Sequence, residues 1–303
     1  ALGSCQLSDA SGEPANAWVL KKPGPETQVQ KSPSERGGVN PCLTDDPGFG
    51  AYEEWSRGLP TGQLIAPRRW RQKNGSFDVM FHFHGHEAAR KEWVRVMDGP
   101  VLVGVDLGLG SGPYEQYFAS PDAFTELLAA VERIVARRMG LKAAAARRVG
   151  LSSWSAGYGA VGQIIAQPLG KKRVDTVILL DGLHSGYSHR GGTLHEPQLA
   201  PFVSFARDAA ARRRFMYVTH SSIIPPGYSS TTETSNYLVA EVGGRPIPSR
   251  PRGTDPWGLD LISWFVRGGF HVRGYAGNAP ADHCAQLGVY REVLRAHLSK
   301  RWK

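Results

Sequence analysis

Beyond residue 48 the chain alternates short apolar runs with longer stretches in which apolar residues return every three or four positions. The apolar runs are residues 77–83, 101–107, 148–153, 174–180, 215–220 and 270–275, and their length and β-branched or aromatic content predict strands. Run 174–180 is almost wholly apolar, as a central parallel strand covered on both faces should be. Between the strands, Leu127, Leu128, Val131, Ile134 and Val135 share one face of a helix predicted over 124–139, with Ser120-Pro121-Asp122 as its start signal. Further helices are predicted over 156–166, 201–213, 235–242 and 285–302. Such alternation gives an α/β fold, a mostly parallel central sheet with helices on both faces. The Ser-, Pro- and Gly-rich stretches 221–235 and 243–258 are expected to be variable loops around a site. Residues 1–48 lack the pattern and are rich in Pro, Gly, Ser and Lys. They read as an extended N-terminal arm, leaving 49–303 as the domain that carries any chemistry.

The 36 Lys and Arg exceed the 27 Asp and Glu, for a formal charge of +9. That balance favours contact with anionic surfaces such as a cell envelope. The arginines lie scattered on predicted helices, as in Arg137-Arg138 and Arg147-Arg148, and form no nucleic-acid module, so no nucleic-acid partner is expected. No run of about 18 apolar residues suggests a membrane-spanning helix. There are three cysteines. Leu2-Gly3-Ser4-Cys5 resembles a bacterial lipobox, which would make the chain a lipid-anchored lipoprotein, secreted or periplasmic; an ordinary tail is the other reading. Cys42 and Cys284 are either a disulfide tying the arm beside His283, which implies an oxidising compartment, or two free thiols.

The strongest chemical signal is Ser153-Trp154-Ser155-Ala156-Gly157, where a strand ends and a helix begins. A serine on so sharp a turn needs small residues two positions to either side, and the helix start aims N–H groups at any oxyanion formed there. The pentapeptide resembles the nucleophile elbow of the α/β-hydrolase superfamily, with Ser153 replacing the usual first glycine. The resemblance implies an α/β-hydrolase fold and a serine hydrolase that uses no cofactor. Its nucleophile would be Ser155, and its base His283, before the last helix. The oxyanion donors would be the backbone N–H groups of Ala156 and of His86, after His84-Gly85. Chain order places the acid between Ser155 and His283. Asp181, at the tip of strand 174–180, is preferred as in the minority of that superfamily that carry the acid one strand early, and Glu233 is the alternative.

His82, His84 and His86 alternate, which raises the competing idea of a metal site. The Asp-His pair typical of metal-dependent hydrolases of that pattern is missing, so no metal is expected. Trp154, Tyr158, Tyr114, Tyr117, Tyr187, Tyr228 and Trp257 are candidates for the wall of a pocket. The expected activity is hydrolysis of carboxylic esters, small or polymeric, with amide or peptide cleavage by the same triad as the runner-up. A binding protein that has kept a hydrolase scaffold is the reading from another class. The oligomeric state is not legible.

Overall fold

The computed structural model describes residues 35–188, 192–250 and 255–302. Cys5 and most of the proposed arm lie outside the described residues. Nine strands among the described residues form one sheet: β1 (Gln63–Ile65), β2 (Ser76–Phe83), β3 (Val101–Val105), β4 (Ala145–Trp154), β5 (Val174–Leu180), β6 (Phe215–His220), β7 (Ile247–Pro248), β8 (Leu261–Arg267) and β9 (Phe270–Tyr275). Their spatial order is β1-β3-β2-β4-β5-β6-β9-β8-β7. The stretch from β3 to β9 is parallel, with antiparallel β1 at one edge and the antiparallel hairpin partners β8 and β7 at the other.

The helices are α1 (His86–Trp93), α2 (Gly112–Phe118), α3 (Pro121–Met139), α4 (Tyr158–Ala166), α5 (Pro168–Arg173), α6 (Glu196–Ala210), α7 (Thr231–Glu241) and α8 (Pro280–Val293). Alternate strand residues supply two cores. Phe81, Val103 and Val177 join the cluster that includes Leu127 of α3, Val161 of α4 and Phe202 of α6. Their neighbours Met80, Leu102 and Ile178 join the opposite cluster with Trp93, Leu287 and Tyr290. Period-two alternation buried on both faces explains why the central runs are continuously apolar.

α3 starts where the sequence signals it, with the Ser120 hydroxyl accepting from Asp122 N–H, and ends at Gly140 in the left-handed region. Three other helices begin earlier than the apolar spacing suggests. α6 starts at Glu196 and carries Pro201 inside it. α7 starts at Thr231 on a capping box formed by Ser230 and Glu233. α8 starts at Pro280, so His283 sits in its first turn and not in the loop before it. β8 is not among the predicted strands although Leu261, Ile262, Trp264, Phe265 and Val266 make it an apolar run; in the structure it lies near the sheet edge and most of it is half-exposed. No described helix is long and apolar enough to cross a membrane.

β2 lies between β3 and β4, so the connection leaving it runs to one side of the sheet and the following one crosses to the other. The carboxyl ends of β2 and β4 therefore flank a topological switch point, where crevices form in open α/β sheets.

Candidate active site

Ser155 follows β4 with φ 50°, a left-handed conformation that costs a non-glycine residue about 1–3 kcal/mol. A short 3-10 turn over Ser155–Gly157 then leads into α4. Close approach explains the small flanking residue: a Cβ on Gly157 would lie 2.1 Å from the Phe83 carbonyl oxygen. Strand end and helix start are thus clamped against β2, with the serine at the apex.

Asp181 follows β5, also with positive φ (45°), and is buried. Its Oδ2 accepts from His283 Nδ1 at 2.8 Å, and its Oδ1 accepts from Ser221 N–H at 2.8 Å and the Thr231 hydroxyl at 2.6 Å. Burial alone would raise this carboxyl, but the bond and charge of His283, together with Thr231 and Ser221, hold it at about 2. The carboxylate is therefore ionised at neutral pH and fixes the proton of His283 on Nδ1. That leaves Nε2 with a free lone pair.

The His283 ring stacks on Trp154 at 4.7 Å, and Trp154 Nε1–H donates to the His283 carbonyl at 3.0 Å. Both sequence neighbours of His283 are tied down. Asp282 is buried, pairs with Arg36 at 2.6 Å and accepts from Ala279 N–H at 3.0 Å. Cys284 forms a disulfide with Cys42. Glu233 is occupied elsewhere, accepting from Ser230 N–H and hydroxyl at 2.8 Å each and from the Tyr187 hydroxyl at 3.1 Å.

The loop after β2 turns through left-handed His84 (φ 68°) and Gly85 (φ 72°) and lies over the elbow: a Cβ on Gly85 would meet the Trp154 ring at 2.8 Å. His86 is the first residue of α1, and Ala156 lies in the turn that opens α4, so their N–H groups are among those a helix start leaves without intrahelical partners. The three alternating histidines have three different partners. His84 Nδ1 lies 2.9 Å from the Tyr114 hydroxyl, and His86 Nδ1 lies 2.6 Å from Asp106 while its Nε2 meets the Gln63 amide at 2.7 Å. His82 is buried, and burial lowers its pKa to about 3. Its Nε2–H donates to the His84 carbonyl at 3.0 Å, and its Nδ1 faces Ser152 Oγ at 2.9 Å, which meets the Tyr290 hydroxyl at 3.0 Å. This neutral histidine ties the loop to β4 and α8. Among the described residues no group of three or more His, Cys, Asp or Glu is arranged to hold a metal ion.

A cavity of about 350 Å³ opens on Ser155 and Ala156, walled by Tyr158 and Tyr228. Of the other aromatic candidates, Tyr114 and Trp257 are buried in the interior and Tyr187 serves Glu233. The cavity also uses His184, which no sequence pattern marked. Its only signal is its position three residues beyond Asp181.

The sheet order, the helices on both its faces and the strained serine on the sharp turn between β4 and α4 define an α/β-hydrolase fold. No family model matches the chain, and no curated protein matches it in sequence. Among solved structures it is similar to a bacterial heroin esterase (14% identity, TM-score 0.43, covering 82% of this chain and 87% of that one). It is also similar to a ferric enterobactin esterase from Salmonella typhimurium (11% identity, TM-score 0.46, covering 79% and 55%) and to a thermostable esterase (9% identity, TM-score 0.43, covering 83% and 63%). The chain spans 60% of the length of an uncharacterised protein from Capnocytophaga ochracea that it also matches.

Proposed function

We propose that the chain hydrolyses carboxylic esters through an acyl-enzyme on Ser155. The observation that carries this reading is the 2.8 Å bond between buried Asp181 and His283, whose ring stacks on Trp154, the residue before a serine in left-handed conformation. In this scheme His283 Nε2 removes the Ser155 proton as Oγ attacks the ester carbonyl carbon. The N–H groups of Ala156 and His86 donate hydrogen bonds to the carbonyl oxygen as negative charge develops on it. Asp181 stabilises the imidazolium, which then protonates the departing alcohol. Water, deprotonated by the same imidazole, attacks the acyl group, and the proton passes back to Ser155 as the acid leaves. The disulfide supports an oxidising compartment, secreted or periplasmic.

A panel of chromogenic esters and matched amides tests the reading, run with Ser155→Ala and His283→Ala and with a fluorophosphonate probe. Expected are ester turnover, labelling at Ser155, and loss of both in the folded Ser155→Ala protein. Amide turnover exceeding ester turnover would make the chain an amidase. A folded wild-type protein that neither labels nor turns over any substrate would be a binding scaffold.

A further inference from the structure

The cavity at Ser155 adjoins a second one of about 330 Å³, and the two share Glu115, Tyr158, His184 and Gln198. Together they form one groove leading from the serine and ending against Pro201 and Phe202 on α6. The lining has an unusual charge for a protein of formal charge +9. Among the described residues that line it, Glu115 is the one carboxylate, and there is no Lys or Arg. His184 is half-buried there, and burial lowers its pKa, so it is neutral at pH 7. Several buried or half-buried carboxylates elsewhere are matched to arginines, as Asp78 is to Arg147, Glu92 to Arg291 and Asp175 to Arg301. Glu115 has no ion pair among the described residues.

The remaining groups suit the same charge. His184 Nδ1–H donates to the Ser229 carbonyl at 2.7 Å, which leaves its Nε2 as an acceptor. The Tyr228 ring stands perpendicular to His184 at 5.0 Å, and the Tyr158 ring lies 5.8 Å from it on an edge contact. Aromatic faces, a neutral acceptor and a carboxylate with no ion pair among the described residues attract an ammonium group, whereas an anion would meet Glu115 with no countercharge among the described lining residues.

We infer that this groove selects esters bearing an ammonium group, with Glu115 as the specificity-determining residue. The inference rests on the hydrolase reading only for the role of Ser155; the cation site can be tested without it. Nitrophenyl esters of three acids of equal chain length, ending in trimethylammonium, tert-butyl or carboxylate, are compared in kcat/KM. A second series carries the same three groups on the alcohol side. Either series is expected to favour trimethylammonium over its neutral isostere by about tenfold or more at low salt. Glu115→Gln should bring that ratio close to one, and Glu115→Lys should turn the preference toward carboxylate. Independently, calorimetry with benzyltrimethylammonium on the Ser155→Ala protein should show binding that an added Glu115→Gln weakens about tenfold. Equal use of charged and neutral esters, a Glu115→Gln loss of the same factor on all three, or no binding of the probe overturns the inference. Hydrolysis without charge preference would leave the hydrolase reading standing and remove this one. Probe binding that depends on Glu115, without hydrolysis of any ester, would do the reverse.

Discussion

Gly182 lies against Ser155 so closely that a Cβ on it would fall 2.3 Å from the Ser155 carbonyl oxygen and 2.9 Å from its nitrogen. The residue after Asp181 therefore rests on the backbone of Ser155, and this contact sets the spacing between the two strand ends. Gly182→Ala must push them apart. It should cost about 1–3 kcal/mol of stability. It should also lower kcat/KM by about 10²-fold, since displacements near 1 Å at a reacting centre have that effect. Thermal unfolding and ester kinetics on the purified variant check both, and wild-type turnover would show that the spacing does not matter.

The two carboxylates weighed for the acid should separate cleanly. Asp181→Asn keeps the shape but no longer holds the His283 proton on Nδ1, and turnover should fall about 10⁴-fold. Glu233→Gln disturbs the capping box of α7, so the expected effect is a loss of about 0.5–1 kcal/mol with turnover largely kept. Kinetics in which Glu233→Gln is the more damaging change would reverse the assignment.

His283 is held from both sides by the N-terminal segment, through Arg36 to Asp282 and through Cys42 to Cys284. Reduction, or Cys42→Ser, should lower stability by on the order of 2–4 kcal/mol. The urea midpoint with and without reductant measures this. Finding both thiols alkylated in the unreduced protein would mean that the bond does not form.

Acid should destabilise the fold well before it neutralises Asp181. Burial lowers the pKa of His82 to about 3 and of His271 to about 4, and it also lowers His84, His184, His220 and His297. Below about 6.5 these residues take up protons in the unfolded chain but not in the folded one. Their contribution is thus complete above that pH and is lost as pH falls toward the folded values, by up to about 1.4 kcal/mol per histidine per pH unit. Asp181 adds its own loss only as pH falls from about 4 toward about 2. The urea midpoint should be level from about pH 7 to 9 and drop steadily below 6.5. Equal stability at pH 8 and pH 5 would contradict this.

The sequence by itself determined the parts that local physics governs. Runs such as 174–180 and 215–220 are strands because continuous apolar stretches of that length need cover on both faces, and their bounds agree with the structure. The setting of Ser155 was legible because a sharp strand-to-helix turn demands small neighbours, and Asp181 stood out as a carboxylate at the end of a buried strand. Tertiary structure alone decided what depends on packing between distant segments. The 102 positions separating Asp181 from His283 are closed by the sheet order and by the docking of α8, which no periodicity encodes. His184 and Glu115 carry no local signature, and they share a groove because the loop after β5 comes to rest near α2 and α4. The sequence marked His86 for its backbone N–H, and only packing brought Asp106 and Gln63 to its ring. Periodicity along a chain fixes which face a residue takes, but only the arrangement of elements fixes which residue it meets there.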